Sequence, residues 1–153
     1  MTIGILALQG DFSLHVKMLA KLNIKNILVK KSSDFDFING LIIPGGESTV
    51  LSLLMNKFNL YKKIKKFSKN NCIYGSCAGA ILLSEKCDDK NIKPLKLINI
   101  KSFRNFYGRQ INSFTKKINI NFLNKPIKVS FIRAPKLKCL SKRINILSIY
   151  NDN

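Results

Sequence analysis

Short apolar runs that break on glycine-bearing turns, with helix-period segments between them, restrict this chain more than any other feature. Ile3–Leu8 ends at Gln9-Gly10, Leu41–Ile43 at Pro44-Gly45-Gly46, and Cys72–Tyr74 at Gly75-Ser76-Cys77-Ala78-Gly79. Runs of this length bounded by turns read as buried strands, with Ile27–Val29 as a further one. After Asp11, Leu14, Met18, Leu19 and Leu22 recur at helical spacing, with Ser13 placed to cap the helix. Further helices are expected from about Ser48 through Met55, from about Leu60 to Lys69, and over Ala80–Leu83. This alternation is the grammar of an α/β fold: a mostly parallel sheet flanked by helices. From Leu97 onward the pieces are strand-like, at Leu97–Ile100, Ile118–Ile120, Val129–Ile132 and Ile144–Tyr150. With no repeat or linker, residues 1–153 read as a single domain. The last run enters Asn151-Asp152-Asn153, which is turn chemistry, so a returning strand is expected beyond it and the sequence reads as cut.

A formal charge of +19 suggests a polyanion partner. The lysines, however, are spread from Lys17 to Lys142, in a chain rich in Lys, Asn and Ile. The densest group, Lys62, Lys63, Lys65, Lys66 and Lys69, is spaced around Leu60, Ile64 and Phe67 as a solvated helix face would be. No interleaved aromatics mark a base-stacking surface, and nucleic acid is not an expected partner. No apolar stretch nears the ~20 residues that span a bilayer, and the start does not read as a signal peptide, so a soluble, cytoplasmic protein without membrane association is expected. The four cysteines form no C-x-x-C pair, and His15 is the only histidine, which argues against a zinc site. A disulfide framework is not needed at this length, and no metal or cofactor is expected.

The strongest chemical signal is Gly75-Ser76-Cys77-Ala78-Gly79 between a strand and a helix. It matches a nucleophile elbow with sulfur in place of the serine oxygen. A nucleophile on so tight a turn sits in a strained backbone conformation, which demands small neighbours. The following helix sets its N-terminal dipole and N–H groups beside the sulfur, and the Ala78 amide can face a developing oxyanion. Against this, Cys77 could be a small buried residue, but glycines at both offsets favour the nucleophile. Cys72 inside its strand, Cys87 past a helix end and Cys139 in a Lys-rich stretch read as structural or incidental. Pro44-Gly45-Gly46-Glu47-Ser48-Thr49 is a second candidate loop, able to bring backbone amides close to a ligand. Its plain reading is a strand-to-helix turn capped by Ser48. Both loops leave the carboxyl ends of strands, where parallel sheets place their sites.

Leu8-Gln9-Gly10-Asp11, the Pro44–Thr49 loop, the Gly75–Gly79 elbow, Arg104-Asn105-Phe106-Tyr107-Gly108-Arg109-Gln110 and Phe131-Ile132-Arg133-Ala134-Pro135 occur in this order. Together they resemble the glutaminase subunits of pyridoxal 5′-phosphate synthase, within the class I (triad) glutamine amidotransferases, whose fold is flavodoxin-like. The elbow alone points to the wider class; the last two segments narrow it. The resemblance implies that Cys77 attacks the side-chain amide of L-glutamine, forming a γ-glutamyl thioester and releasing ammonia. It implies that Gly46, Glu47 and Ser48 contact glutamine, with Gly46 and Ala78 giving the oxyanion hole. Arg104, Ile132 and Arg133 match further glutamine-site positions, where basic side chains suit an α-carboxylate. Ammonia would pass to a synthase subunit in a hetero-oligomer, with Gln9 and Gly10 near that interface, for vitamin B6 biosynthesis.

The family completes its site with a His-x-Glu pair after Ser-Phe, which residues 1–153 do not contain. The expectation is therefore a fold lacking its closing C-terminal elements, with general acid–base help worth on the order of 10²–10⁴-fold removed. A synthase-binding subunit without activity, or the product of a degraded gene, is the alternative. His15 reads as a helix-surface or interface histidine, since no motif aims it at Cys77. A redox or aldehyde-processing cysteine on the same sheet is a further option, against which the Arg104 and Arg133 segments speak.

Overall fold

The computed structural model describes residues 1–150, and the turn expected at Asn151-Asp152-Asn153 lies outside them. Four parallel strands, β1 (Thr2–Leu6), β2 (Lys25–Val29), β3 (Gly40–Ile43) and β4 (Cys72–Gly75), form a sheet in the order β2-β1-β3-β4. β1 is paired on both sides: Gly4 lies opposite Ile27 of β2 and Leu41 of β3. Its strand direction and that of β3 and β4 bring three carboxyl ends side by side. The chain goes from β1 to β2 on one side and then crosses back past β1 to β3 on the other, so a topological switch point lies at the β1/β3 boundary, where sheets of this order hold ligands. Ile5, Leu6, Val29, Leu41 and Ile43 are buried, as expected for apolar runs covered on both faces.

The helices cover the sheet in ways the apolar spacing only partly foretells. In α3 (Leu60–Phe67), Leu60, Tyr61, Ile64 and Phe67 are buried while Lys62, Lys65 and Lys66 are exposed, so the lysine group is a solvated face. Lys63 pairs with Asp36 at 2.8 Å. α1 (Phe12–Lys21) exists where expected, but its inward face is Phe12, His15, Val16 and Leu19. Leu14, Met18 and Leu22 point outward and are more than half exposed. Positions 12, 16 and 19 are also helically spaced, and spacing alone does not say which of two rows meets the sheet. The caps also differ from expectation. Ser13 lies within the first turn of α1, after Asp11 at the N-cap position. In α2 (Ser48–Lys57) the cap is Glu47, whose carboxylate accepts the Thr49 amide at 3.2 Å, and Ser48 is the first helical residue.

After α4 (Ala78–Leu83) the chain builds a second sheet from β5 (Ser84–Cys87), β6 (Ile98–Phe103) and β9 (Lys136–Cys139), with β6 central. A hairpin of β7 (Phe114–Ile118) and β8 (Ile127–Phe131) lies between β6 and β9 in the chain. Strands β6 and β8 overlap their expected positions, whereas β7 starts earlier than the expected Ile118–Ile120 run and shares only Ile118 with it. Ile144–Tyr150, expected as a strand, is irregular; it is tied to the 119–121 segment by Asn121 N–H donating to the Leu147 carbonyl at 2.9 Å. β5 and β9, Ser-Glu-Lys-Cys and Lys-Leu-Lys-Cys, went unforeseen because strands flanking a sheet carry polar side chains. Cys87 and Cys139 belong to these two strands. Cys72 lies in its strand as expected, but is exposed, with β4 at the end of the described sheet. No helix among the described residues is long and apolar enough to cross a membrane.

One of the tightest fits in the fold is Gly79 of α4 against β3. A Cβ added at Gly79 would lie 2.0 Å from the Ile43 carbonyl oxygen, a backbone atom of a buried strand that cannot give way cheaply. Gly79→Ala is therefore expected to cost about 1–3 kcal/mol or more in urea unfolding. A variant as stable as the parent would contradict the observed approach of α4 to the sheet.

Candidate active site

Cys77 sits at the break between β4 and α4 with φ 47° and ψ −106°, a backbone conformation that costs a side-chain-bearing residue about 1–3 kcal/mol. Its surroundings hold it there. Ser76 N–H donates to the Ile43 carbonyl at 3.1 Å, and Gly79 N–H donates back to the Ser76 carbonyl at 2.8 Å. A Cβ at Gly75 would lie 2.6 Å from the Gly79 carbonyl carbon, so the glycines on both sides of Cys77 are required by contact. The sulfur-bearing residue is exposed, while Ala78 behind it is buried. As the first residue of α4, Ala78 carries one of the amides that have no acceptor within the helix.

The loop after β3 lies against the elbow: a Cβ at Gly45 would be 3.4 Å from Cys77 Cβ. The loop after β1 in turn lies against that one. Asp11 N–H donates to the Gly45 carbonyl at 3.0 Å, and a Cβ at Gly10, where φ is 97°, would fall 2.0 Å from the same oxygen. Gln9 Oε1 accepts the Glu47 N–H at 3.1 Å, and Gly46, with φ 152°, leaves room for that amide side chain. Gly46 and Ala78, the expected oxyanion donors, thus belong to the two loops that meet at Cys77.

Glu47 turns toward cations. Arg104 Nη2 donates to Glu47 Oε1 at 2.6 Å, and its Nη1 donates to Asp89 Oδ2. Burial raises the Glu47 carboxyl, but the Thr49 hydroxyl and amide, Arg104 and Arg133 outweigh it and hold the group below the usual carboxylate range. Arg133, at φ 48°, lines an open cavity of about 470 Å³ with Asn105, Gly108 and Arg109. The Tyr107 N–H reaches the Ala134 carbonyl at 3.5 Å, joining the two loops that carry these arginines. Ile132 is 54% exposed beside Arg133, and Ser48 is buried under α2, with no described contact joining either to Cys77. Of the expected residues, the structure gathers Cys77, Gly46 and Ala78 in one place and Glu47, Arg104 and Arg133 in an adjoining one.

His15 lies nearer the elbow than its helical position suggested. Its Nε2 is 3.5 Å from Ser76 Oγ and its ring meets Tyr74 edge-on at 6.3 Å. Among the described residues none hydrogen-bonds Cys77 Sγ, and no group of three His, Cys, Asp or Glu could hold a metal ion. Asp88 and Asp89 were not foreseen, although adjacent acids are conspicuous in a chain with only 8 acidic residues.

A carboxylate held below its unfolded value stabilises the fold above that value, and the contribution is lost as pH falls through the depressed one. Glu47→Gln is thus expected to lower Tm at neutral pH, with the gap to the parent closing in acid. A gap that stays constant with pH would contradict the cation contacts.

Comparison with known proteins gives this geometry a family. The SNO glutamine amidotransferase family matches residues 5–153. Pyridoxal 5'-phosphate synthase subunit PdxT of Francisella philomiragia is 42% identical over 151 residues, spanning 99% of this chain and 80% of that protein. The subunit of the same name from Tropheryma whipplei (strain TW08/27) is 43% identical over 150 residues, spanning 97% of this chain and 79% of that one. A solved structure described as a glutamine amidotransferase superposes with a TM-score of 0.89 at 32% identity, covering 98% of this chain and 80% of that chain. A Listeria monocytogenes protein described as a putative peptidase E shares the fold alone, with a TM-score of 0.53 at 13% identity over 64% of this chain and 63% of that one. With a family model matching residues 5–153 and relatives above 40% identity over nearly its whole length, the chain belongs to the SNO glutamine amidotransferase family.

Proposed function

We propose that this chain is the glutaminase subunit of a pyridoxal 5′-phosphate synthase, using Cys77 to deamidate L-glutamine. The thiolate of Cys77 attacks the side-chain amide carbon, and the carbonyl electrons move onto oxygen. In this reading the amides of Gly46 and Ala78, one from each loop at the elbow, hold that oxyanion. The carbon–nitrogen bond then breaks, and the nitrogen departs as ammonia with the proton it gains. Water hydrolyses the γ-glutamyl thioester, giving glutamate and the free thiol. The sum is glutamine plus water to glutamate plus ammonia, with the ammonia consumed by the synthase subunit in vitamin B6 biosynthesis.

One observation carries this reading: a non-glycine residue at φ 47° whose side chain is sulfur, beside the Gly45–Glu47 loop. Arg133 and Arg109 line a cleft suited to the α-carboxylate of an amino acid, and Glu47 is a carboxylate within reach of the same arginine's field.

The test is ammonia release from glutamine with the synthase subunit present. Cys77→Ala is expected to bring the rate to background, a loss of more than about 10³-fold. A Cys77→Ala protein with an undiminished rate would end the proposal.

A further inference from the structure

Each strand of the second sheet brings a lysine to the same register step. Lys86 of β5 lies opposite Lys101 of β6, and Lys101 lies opposite Lys138 of β9. Residues paired in this way share a face, so the three side chains form a row with about 4.8 Å between strands. Lys86 and Lys138 are exposed and Lys101 is half-buried. Two residues along β6, Phe103 lies opposite Lys136, which adds a fourth lysine to that face. The row is fixed from beneath, where the buried Ser102 hydroxyl donates to the Lys86 carbonyl at 3.3 Å.

Such a row opposes folding, because like charges directly opposite one another in a sheet repel. Lysine is common on sheet edges, where it discourages stray pairing, but Lys101 stands in the central strand. The ion pairs among the described residues, Lys63 with Asp36 and Arg104 with Glu47 and Asp89, include none of the four. Asp88, the acid that follows β5, gives its Oδ1 to the Arg104 N–H at 3.0 Å. With 27 lysines and arginines, chance alone makes like-charge pairs, as Lys117 opposite Lys128 shows. The row goes further than a pair, since it crosses every strand of its sheet. Aromatic rings on this side narrow the choice of anion. Lys101 Nζ lies 4.8 Å from the Phe103 ring centroid, and Lys136 Nζ 4.7 Å from that of Phe106. Rings already faced by their own lysines give nucleic-acid bases a poor platform, while the positive charge stays on offer.

We propose that this face docks an acidic protein segment, laid across the strands with its carboxylates against Lys86, Lys101 and Lys138. Compact ammonium groups on flexible stems suit carboxylates at irregular spacing. Docking also relieves the repulsion that folding leaves in the row, most of all at Lys101, which has a cation on each side.

The test reads the fluorescence anisotropy of a labelled oligoglutamate against the full chain, with an oligothymidylate of equal charge in parallel. Two triple variants remove the same charge. One carries Lys86→Gln, Lys101→Gln and Lys138→Gln on the sheet; the other carries Lys62→Gln, Lys65→Gln and Lys66→Gln on α3. The sheet variant is expected to bind oligoglutamate about tenfold more weakly, and the α3 variant to stay within about twofold of the parent. The sheet variant is also expected to melt no lower than the parent, which separates lost binding from lost folding. Oligothymidylate is expected to bind no more tightly than oligoglutamate. Equal weakening by both triple variants would reduce the effect to net charge and overturn the proposal. A parent that does not bind oligoglutamate, or a sheet variant that melts lower, would overturn it too. Tighter oligothymidylate binding that is lost with the sheet lysines would replace it with a nucleic-acid surface.

Discussion

The approach of α4 to β3, where only the hydrogen of Gly79 separates a helix from the Ile43 carbonyl, sets the position of everything at the sheet's carboxyl edge. The same carbonyl accepts Ser76 N–H, and Gly79 N–H closes back on Ser76. Ser76 and Gly79 are thus both held at one oxygen, with Cys77 between them. Its positive φ follows from that grip, which lifts the sulfur off the sheet and into the open. The strain is stored locally and offset by buried apolar contacts of Ile43, Ile81, Leu82 and Leu83.

From that fixed point the neighbouring loops are ordered by backbone contact. Gly45 lies over the cysteine, Gly10 over Gly45, and Gln9 reaches forward to the Glu47 amide. Each step depends on a residue without a side chain, which explains why glycine recurs after β1, β3 and β4. Electrostatics then organise the second half of the site. In a chain of charge +19, carboxylates are scarce, yet Glu47, Asp88 and Asp89 converge on Arg104. That convergence distinguishes two arginines that look alike in sequence: Arg104 is engaged within the protein, whereas Arg133 lines open space.

What could be read from the sequence follows from the range of the interactions involved. The elbow was legible because Gly75, Cys77 and Gly79 stand within five residues in a recognisable spacing, although the backbone that forbids a side chain at Gly79 is that of Ile43. The parallel sheet was legible from four apolar runs, and the lysine face of α3 from its spacing. The inward face of α1 was not, because two apolar rows on the same helix satisfy the same period and only the sheet chooses Leu19 over Leu14. The partners of Arg104 were not legible either, since Glu47 is 57 residues away and the pairing of β5 with β6 precedes the contact with Asp89. Strands as polar as β5 and β9 carry no period-two apolar signal, and Ile144–Tyr150 carries one without forming a strand.

The central claim is that the elbow sulfur, and no other, accepts an acyl group from a side-chain amide. Cys72 and Cys139 are also exposed, which makes them internal controls. Acid quenching of the chain during incubation with glutamine, followed by peptide mass analysis, reads the acyl carrier directly. The account predicts a γ-glutamyl adduct on the peptide containing Cys77 and none on those containing Cys72 or Cys139. An adduct spread evenly over the exposed cysteines, or found only away from Cys77, would contradict it.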